Sequence, residues 1–213
     1  MESDIAITSL KESQIEAAGE LMARAFFDDP LVVYMYPEEN ERKRLTPWHF
    51  TAFVRYTYFF GEVYTTTGIP LGTAVWFPPS LNTGEVEMTP ERLQQAGLDK
   101  APEVLGAEPF QRFNRVCDYV EQFHPKEVPG PHWFLPLLGV DPPNQGQGVG
   151  SALLRPVLER ADRDALPVYL WTAKERNVPF YEQQGFEVVT ASVEPISGIR
   201  FWTCRRMPRS LTT

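Results

Sequence analysis

Residues 132–161, HWFLPLLGVDPPNQGQGVGSALLRPVLERA, constrain this chain most, because the hydrophobic period changes partway along them. The apolar run from Trp133 to Val140 reads as a strand, and Asp141, Pro142, Pro143 and Asn144 after it favour a turn. Further on, Val149, Leu153, Val157 and Ala161 recur every fourth residue with Leu154 and Leu158 beside them, the spacing of a buried helix face. Gly146, Gly148 and Gly150 therefore sit at a helix N-terminus. Unpaired N–H groups and a partial positive charge there favour phosphate oxygens, and residues without Cβ atoms let a ligand approach. An ordinary glycine turn is the competing reading.

Two familiar phosphate loops fail on spacing. The P-loop needs a Lys and then Ser or Thr after its last Gly, and no Lys follows Gly150. The dinucleotide fingerprint needs G-x-G-x-x-G, whereas these glycines stand two apart. The stretch instead resembles motif A of the GNAT superfamily of acyl-CoA-dependent N-acetyltransferases, Q/R-x-x-G-x-G/A, through Gln145, Gly148 and Gly150. Leu138, Gly139 and Val140 stand where that family's fourth strand ends, and residues 168–172 read as the next strand. Residues 177–186, NVPFYEQQGF, then match the family's N-x-x-x-[FY]-Y-x-x-x-G-F pattern with one residue of slack. The wider layout, with AFFDDP, WFPP and HWFLPLLGVDP, is similar to relatives of puromycin N-acetyltransferase, although these short motifs do not name an acceptor.

The resemblance implies an α/β fold: a mixed, mostly antiparallel central sheet flanked by helices, with a V-shaped splay between strands 4 and 5. A chain of 213 residues, 43% of them hydrophobic, can bury the core of one such domain, residues 1–213. Residues 80–130 exceed the family core and read as a helical insertion between strands 3 and 4, which either covers an exposed face or caps an acceptor pocket. A net charge of −8 disfavours nucleic acid as a partner. Two cysteines offer no disulfide framework, the first ten residues are unlike a signal peptide, and no apolar run is long enough to span a bilayer, so the cytoplasm is the expected location. The pattern carries no signal of oligomeric state.

Along the chain, Ile5, Ile7 and Ser9 alternate as a short strand, and Ser9 or Ser13 is the expected N-cap of a helix bearing Ile15, Ala18, Leu21, Met22, Ala25 and Phe26. That helix is expected to run to Asp28, Asp29 and Pro30, placing two carboxylates at an unfavourable dipole end, as a solvated turn or as an anionic lip for a cationic amine. An aromatic-rich helix over 41–60 and a hairpin of 62–67 with 71–77 follow. Thr89 and Pro90 open an insertion helix, and Phe110, Phe113, Val116, Cys117, Val120 and Phe123 form a helical stripe. Pro136 lacks a ladder N–H, and the family's bulged fourth strand would accommodate it; the bulge is expected between Leu137 and Asp141.

The resemblance also implies acetyl-CoA as cosubstrate, held by Leu138, Gly139, Val140, Gln145, Gly146, Gln147, Gly148, Val149, Gly150, Ser151 and Asn177, with Asn177 also expected to cap the next helix. Tyr181 is the expected acid at the CoA sulfur, the alternative being a packed ring with its hydroxyl in water. Phe27, Asp28, Tyr34 and Trp76 are expected to touch a small-molecule amine. No Cys or Ser in the two motifs offers a nucleophile, so direct transfer through a tetrahedral intermediate is expected. The fourth strand carries no titratable group, leaving the base to a water relay or to Asp28, Asp29, Glu62 or Tyr64. His132 lies too far back on an extended strand to reach the thioester and reads as a structural cap, while His49 and His124 are too isolated to suggest metal ligands. A peptide or lysine acetyltransferase and a catalytically weak CoA-sensing module are the competing functions.

Overall fold

The computed structural model describes residues 5–80 and 88–209. Among them, seven strands form one sheet in the order β1-β2-β3-β4-β5-β7-β6, built from β1 (Ile7–Ser9), β2 (Glu62–Thr66), β3 (Gly72–Phe77), β4 (Trp133–Val140), β5 (Val168–Thr172), β6 (Glu187–Val193) and β7 (Arg200–Arg206). Every neighbouring pair is antiparallel except β4 and β5, which run parallel, as the expected mixed sheet requires.

Helices cover both faces. On one lie α1 (Ile15–Ala25), α2 (Pro30–Met35), α3 (Glu39–Phe60) and α6 (Ala107–Glu121), burying Met22, Met35, Phe50, Val75, Val116 and Phe201 together. On the other, α8 (Val149–Arg163) and α9 (Val178–Gln183) bury Trp76, Trp133, Leu153, Val157, Leu170 and Trp202. Strand alternation makes this division: Val75 points to the first face and Trp76 to the second. Between β3 and β4 run α4 (Pro90–Ala96), α5 (Ala101–Leu105), α6 and α7 (His124–Glu127). Thr89 caps α4 as expected, its Oγ1 accepting from Arg92 N at 3.3 Å. The α6 stripe covers the sheet, with Tyr119 and Phe123 edge-on to Phe201 at 6.0 and 5.6 Å between ring centres. Residues 81–87 of the expected insertion lie outside the described residues.

Three local expectations are corrected. Neither Ser9 nor Ser13 caps α1: a 3-10 turn, Glu12–Gln14, precedes it, and the Gln14 side chain closes that turn by accepting from Lys11 N at 3.0 Å. The first helix stops at Ala25, and Asp29 instead caps a further helix, α2, its Oδ1 accepting from Leu31 N at 3.0 Å. The Asp29 carboxylate thus meets the favourable end of a helix dipole. Finally, the β4 bulge lies earlier than expected. Val75 pairs with Leu137 and Phe77 with Phe134, so Trp76 alone opposes Leu135 and Pro136. A residue that cannot donate to the ladder is absorbed where it stands, and the register from Leu137 to Val140 stays regular.

Candidate active site where two strands part

β4 and β5 pair over two rungs, Trp133 with Val168 and Phe134 with Tyr169. Beyond Phe134, β4 continues to Val140 along β3 while β5 follows β7 to Thr172. The strands separate there, leaving a slot whose one wall is the β4 edge carrying Leu138, Gly139 and Val140.

The glycine-rich loop closes the outer end of β4. Arg24 on α1 holds Asp141 in a bidentate pair at 2.8 and 3.0 Å. The Gln145 and Gln147 side chains fold the loop upon itself, donating to the carbonyls of Val140 and Pro143, each at 3.0 Å. Gly146 and Gly148 have φ of +74° and +83°, a left-handed conformation that L side chains resist, and a Cβ at either would meet nothing within 4 Å. The loop therefore presents bare backbone to solvent, immediately before the unpaired first-turn N–H groups of α8 at Val149, Gly150 and Ser151. Val149 itself points inward, with 3% of its surface exposed.

The second motif packs directly against this helix start. A Cβ on Gly150 would stand 3.2 Å from Phe180 Cζ and 3.8 Å from Val140 Cγ2, and Gln184 Nε2 donates to Ser151 Oγ at 3.1 Å. Asn177 does not cap α9; its Nδ2 reaches back to Thr172 Oγ1 at 3.2 Å, bracing the turn after β5. Gly185 ends the α9 segment with φ of +91°. The Tyr181 ring packs between Phe180 and Phe186, at 5.2 and 5.8 Å. Burial pushes its phenol well above the ordinary range, with Cys204 and the Asp29 carboxylate adding to the shift.

Across the slot, the α1–α2 turn bridges the outer ends of the parted strands. Phe26 lies against Gly139, where an added Cβ would meet its Cε2 at 3.4 Å, and Lys174 Nζ, two residues past β5, stands 6.0 Å from the Phe26 ring centre. Lys174 faces Asp29 at 3.8 Å, each side chain 12% exposed. Burial raises the Asp29 carboxyl and lowers the Lys174 ammonium, outweighing their mutual attraction in both cases.

The expected acceptor residues are not all gathered here. Asp28 is exposed beside Asp29. Phe27 lies under the Arg42 guanidinium at 5.1 Å, and the Tyr34 hydroxyl accepts from Arg115 of α6 at 2.8 Å. Trp76 is corrected: it is wholly buried against Trp133 on the α8 face and has no surface to offer a substrate. Among the base candidates, Glu62 and Tyr64 are engaged with each other at 2.8 Å and with Arg160, which donates to Glu62 at 2.6 Å. Lys174 and a paired His124 and His132 were not visible as partners in the sequence, since their contacts join segments far apart or depend on ring orientation.

The Acetyltransferase (GNAT) domain family matches residues 113–188, which take in the second half of α6, β4 and β5, the glycine loop and α9. A protein of Schizosaccharomyces pombe described as an uncharacterized N-acetyltransferase is 26% identical over 188 residues, covering 85% of this chain and 74% of the relative. Among solved structures, the fold is similar to that of the histone acetyltransferase HPA2 and related acetyltransferase from Corynebacterium glutamicum, with a TM-score of 0.67, 20% identity, and coverage of 98% of this chain and 99% of that one. It is also similar to arylalkylamine N-acetyltransferase 2 from Aedes aegypti, with a TM-score of 0.66, 13% identity, and coverage of 97% and 100%. The Drosophila melanogaster polyamine N-acetyltransferase, an enzyme that forms N-acetylagmatine, aligns with a TM-score of 0.61, 14% identity, and coverage of 95% and 99%. The parallel strand pair that parts, the glycine loop at its open end and the second motif packed on that loop all lie within the segment that matches the Acetyltransferase (GNAT) domain family.

Proposed function

We propose that this chain transfers the acetyl group of acetyl-CoA directly to a primary amine of a small molecule. The observation that carries the reading is the two-rung β4–β5 junction opening beside the bare backbone of Gly146 and Gly148. The diphosphate of the coenzyme would accept from N–H groups of the loop and of the first turn of α8. Its pantetheine arm would lie along the β4 edge near Leu138, Gly139 and Val140, as an added strand would. One backbone N–H there would stabilise the carbonyl oxygen as it gains charge.

Two side chains then divide the proton work. Tyr181, held protonated by burial, donates a hydrogen bond to the departing CoA thiolate. Full transfer is uphill even for a free phenol of pKa about 10 against a thiol of about 8.5, and the raised phenol makes it more so. The acceptor ammonium, of pKa about 10.4, must lose a proton before attack. Asp29, through water, is the carboxylate best placed to receive it, since Glu62 is held by Arg160 and Asp29 stands across the slot mouth. A carboxyl raised by burial is the stronger base once ionised. Attack by the amine forms the tetrahedral intermediate, and its collapse breaks the C–S bond and releases CoA and the N-acetyl product.

The α6 helix favours a small acceptor over a protein tail: Arg115 donates to Tyr34 of α2 and Tyr119 lies edge-on to Phe201 of β7, so α6 covers this face of the sheet. The similarity to the arylalkylamine and polyamine N-acetyltransferases is compatible with that size of substrate. A panel of arylalkylamines, diamines and amino acids, assayed for thiol release from acetyl-CoA, tests the reading. Turnover with at least one small amine is expected; turnover confined to peptide N-termini or peptide lysines would refute it.

A further inference from the structure

At the root of the slot the parallel strands are joined by two rungs, too short a ladder to set the separation of the walls by itself. A cluster of polar side chains lies against those rungs. His132 immediately precedes β4, and His124 opens α7, stacking on Tyr169 at 4.2 Å and 11° and lying 4.8 Å from Phe134. Tyr169 and Phe134 form the second rung. The two imidazoles meet Nε2 to Nε2 at 2.7 Å, with 6% and 5% of their residues exposed.

The remaining ring nitrogens fix the proton count. His132 Nδ1 lies 2.7 Å from the carbonyl oxygen of Gly130, which can only accept, so Nδ1 carries hydrogen. His124 Nδ1 lies 3.0 and 3.2 Å from the two oxygens of Glu121, so it too carries hydrogen. A hydrogen bond between the Nε2 atoms needs one proton between them. Satisfying all these contacts at once takes three protons on four ring nitrogens, and with them a single positive charge on the pair. Removing one would set a lone pair against an acceptor; adding one would point two N–H groups at each other across 2.7 Å.

Further charged and titratable groups lie around the pair. Glu121 comes from α6, and Glu127 from α7 accepts from the Tyr169 hydroxyl at 2.9 Å. Burial pushes the Tyr169 phenol above its ordinary range, so it stays neutral. Arg205 on β7 is engaged by the Glu127 carbonyl and by Glu187, each at 2.7 Å. Burial lowers the His132 imidazole, which opposes a second proton.

We infer that His124 and His132 are positioning residues for acetyl transfer: their singly protonated bridge fastens α6 and α7 to the first two rungs of β4 and β5 and so holds the coenzyme slot at its working width. This rests on the reading that the slot takes acetyl-CoA. Imidazole nitrogen NMR of the labelled wild-type protein near pH 7 should show three protonated nitrogens over the two residues, with His132 bearing hydrogen at Nδ1. Two ordinary neutral rings would overturn the bridge. His132→Asn and His124→Asn should each raise the KM for acetyl-CoA about tenfold or more while kcat and the acceptor KM stay within about threefold. The wild-type KM for acetyl-CoA is expected to rise as pH falls below the ordinary His range, and the variants should lose that rise. An unchanged acetyl-CoA KM, or a fall of all constants together with the folded fraction, would overturn the positioning role. If both variants fail to fold, the wild-type proton count and the pH dependence of its acetyl-CoA affinity decide the matter. Wild-type protein that binds no acetyl-CoA would instead refute the proposed function, a result separate from the proton count.

Discussion

Asp29 and Lys174 face each other at 3.8 Å, each 12% exposed, and their pairing should serve chemistry at a cost to the fold. At that distance and an effective dielectric constant of about 20, opposite unit charges attract by about 4 kcal/mol. Removing each ion from water costs several kcal/mol, and the pKa directions show the balance. Burial is the largest cause at both groups, raising the carboxyl and lowering the ammonium despite the attraction. The sign follows for both. The folded state binds more protons than the unfolded chain just above the ordinary Asp range, so stability falls as pH rises through the raised Asp29 value. Just below the ordinary Lys range the unfolded chain binds more, so stability rises with pH there. Around neutrality both penalties are present. Asp29→Asn keeps a good N-cap for α2 but strands the ammonium, and should cost about 1–3 kcal/mol, or roughly 2–4 °C per kcal/mol in a chain of this size. The double variant Asp29→Asn with Lys174→Met removes both penalties and should unfold within about 1 kcal/mol of the wild type. Its rate of acetyl transfer should nevertheless fall by about 10²-fold. Thermal unfolding and thiol-release kinetics on the two single variants and the double complete the cycle. A double variant less stable than either single would refute the energetic argument, and one with undiminished turnover would remove Asp29 from the proton path.

Tyr181→Phe should lower kcat by about 10²-fold while calorimetry finds acetyl-CoA binding intact; equal activity across the pH range would show that the phenol does not serve the leaving thiolate. Gly148→Ala places a Cβ in open space at φ +83°, so its cost is backbone strain of about 1–2 kcal/mol, read as a lower unfolding temperature together with weaker acetyl-CoA binding. Gly139→Ala would bring a Cβ to 2.4 Å from the sulfur of Met22, itself fully buried, and overpacking of about 1–3 kcal/mol is expected by chemical denaturation; an unchanged midpoint would mean that α1 does not lie on β4 as described.

What the sequence disclosed follows the range of the forces involved. The strand, glycine loop and helix of residues 132–161 were legible because a change of hydrophobic period and a left-handed glycine are local facts, and β4, Gly146, Gly148 and α8 stand accordingly. The Pro136 irregularity was legible as well, but its exact place depended on which β3 residue it faced, a question of register across strands. The turn at Asp28 and Asp29 showed its composition and hid its role: the same D-D-P reads as the end of one helix or the cap of another, and the Leu31 N–H donating to the Asp29 carboxylate decides for α2. Trp76 was misplaced because period two tells which residues share a face, not which face meets the ligand. Lys174 had no signal at all, since its partner lies far along the chain. His124 and His132 are only eight apart, yet nothing in HPKEVPGPH says that the rings turn toward each other.

The parts of the site that were legible and those that were not also divide by task. The proposed coenzyme grip is almost entirely backbone: bare glycines, a helix start and a strand edge, with the Gln145 and Gln147 side chains spent on shaping the loop. Backbone recognition needs a particular local conformation, so it leaves a pattern of glycines and period that survives in sequence. On the proposed function, acceptor recognition falls to side chains: Phe27 and Tyr34 as expected contacts, Arg115 holding the Tyr34 hydroxyl, and Asp29 facing Lys174. Arg115 meets Tyr34, and Lys174 meets Asp29, only because the fold brings distant segments together. On the proposed function, acetyl donor and acceptor are therefore under separate structural control. Substitutions at Tyr34 or Arg115 should shift the choice of amine while leaving the affinity for acetyl-CoA where the glycine loop sets it.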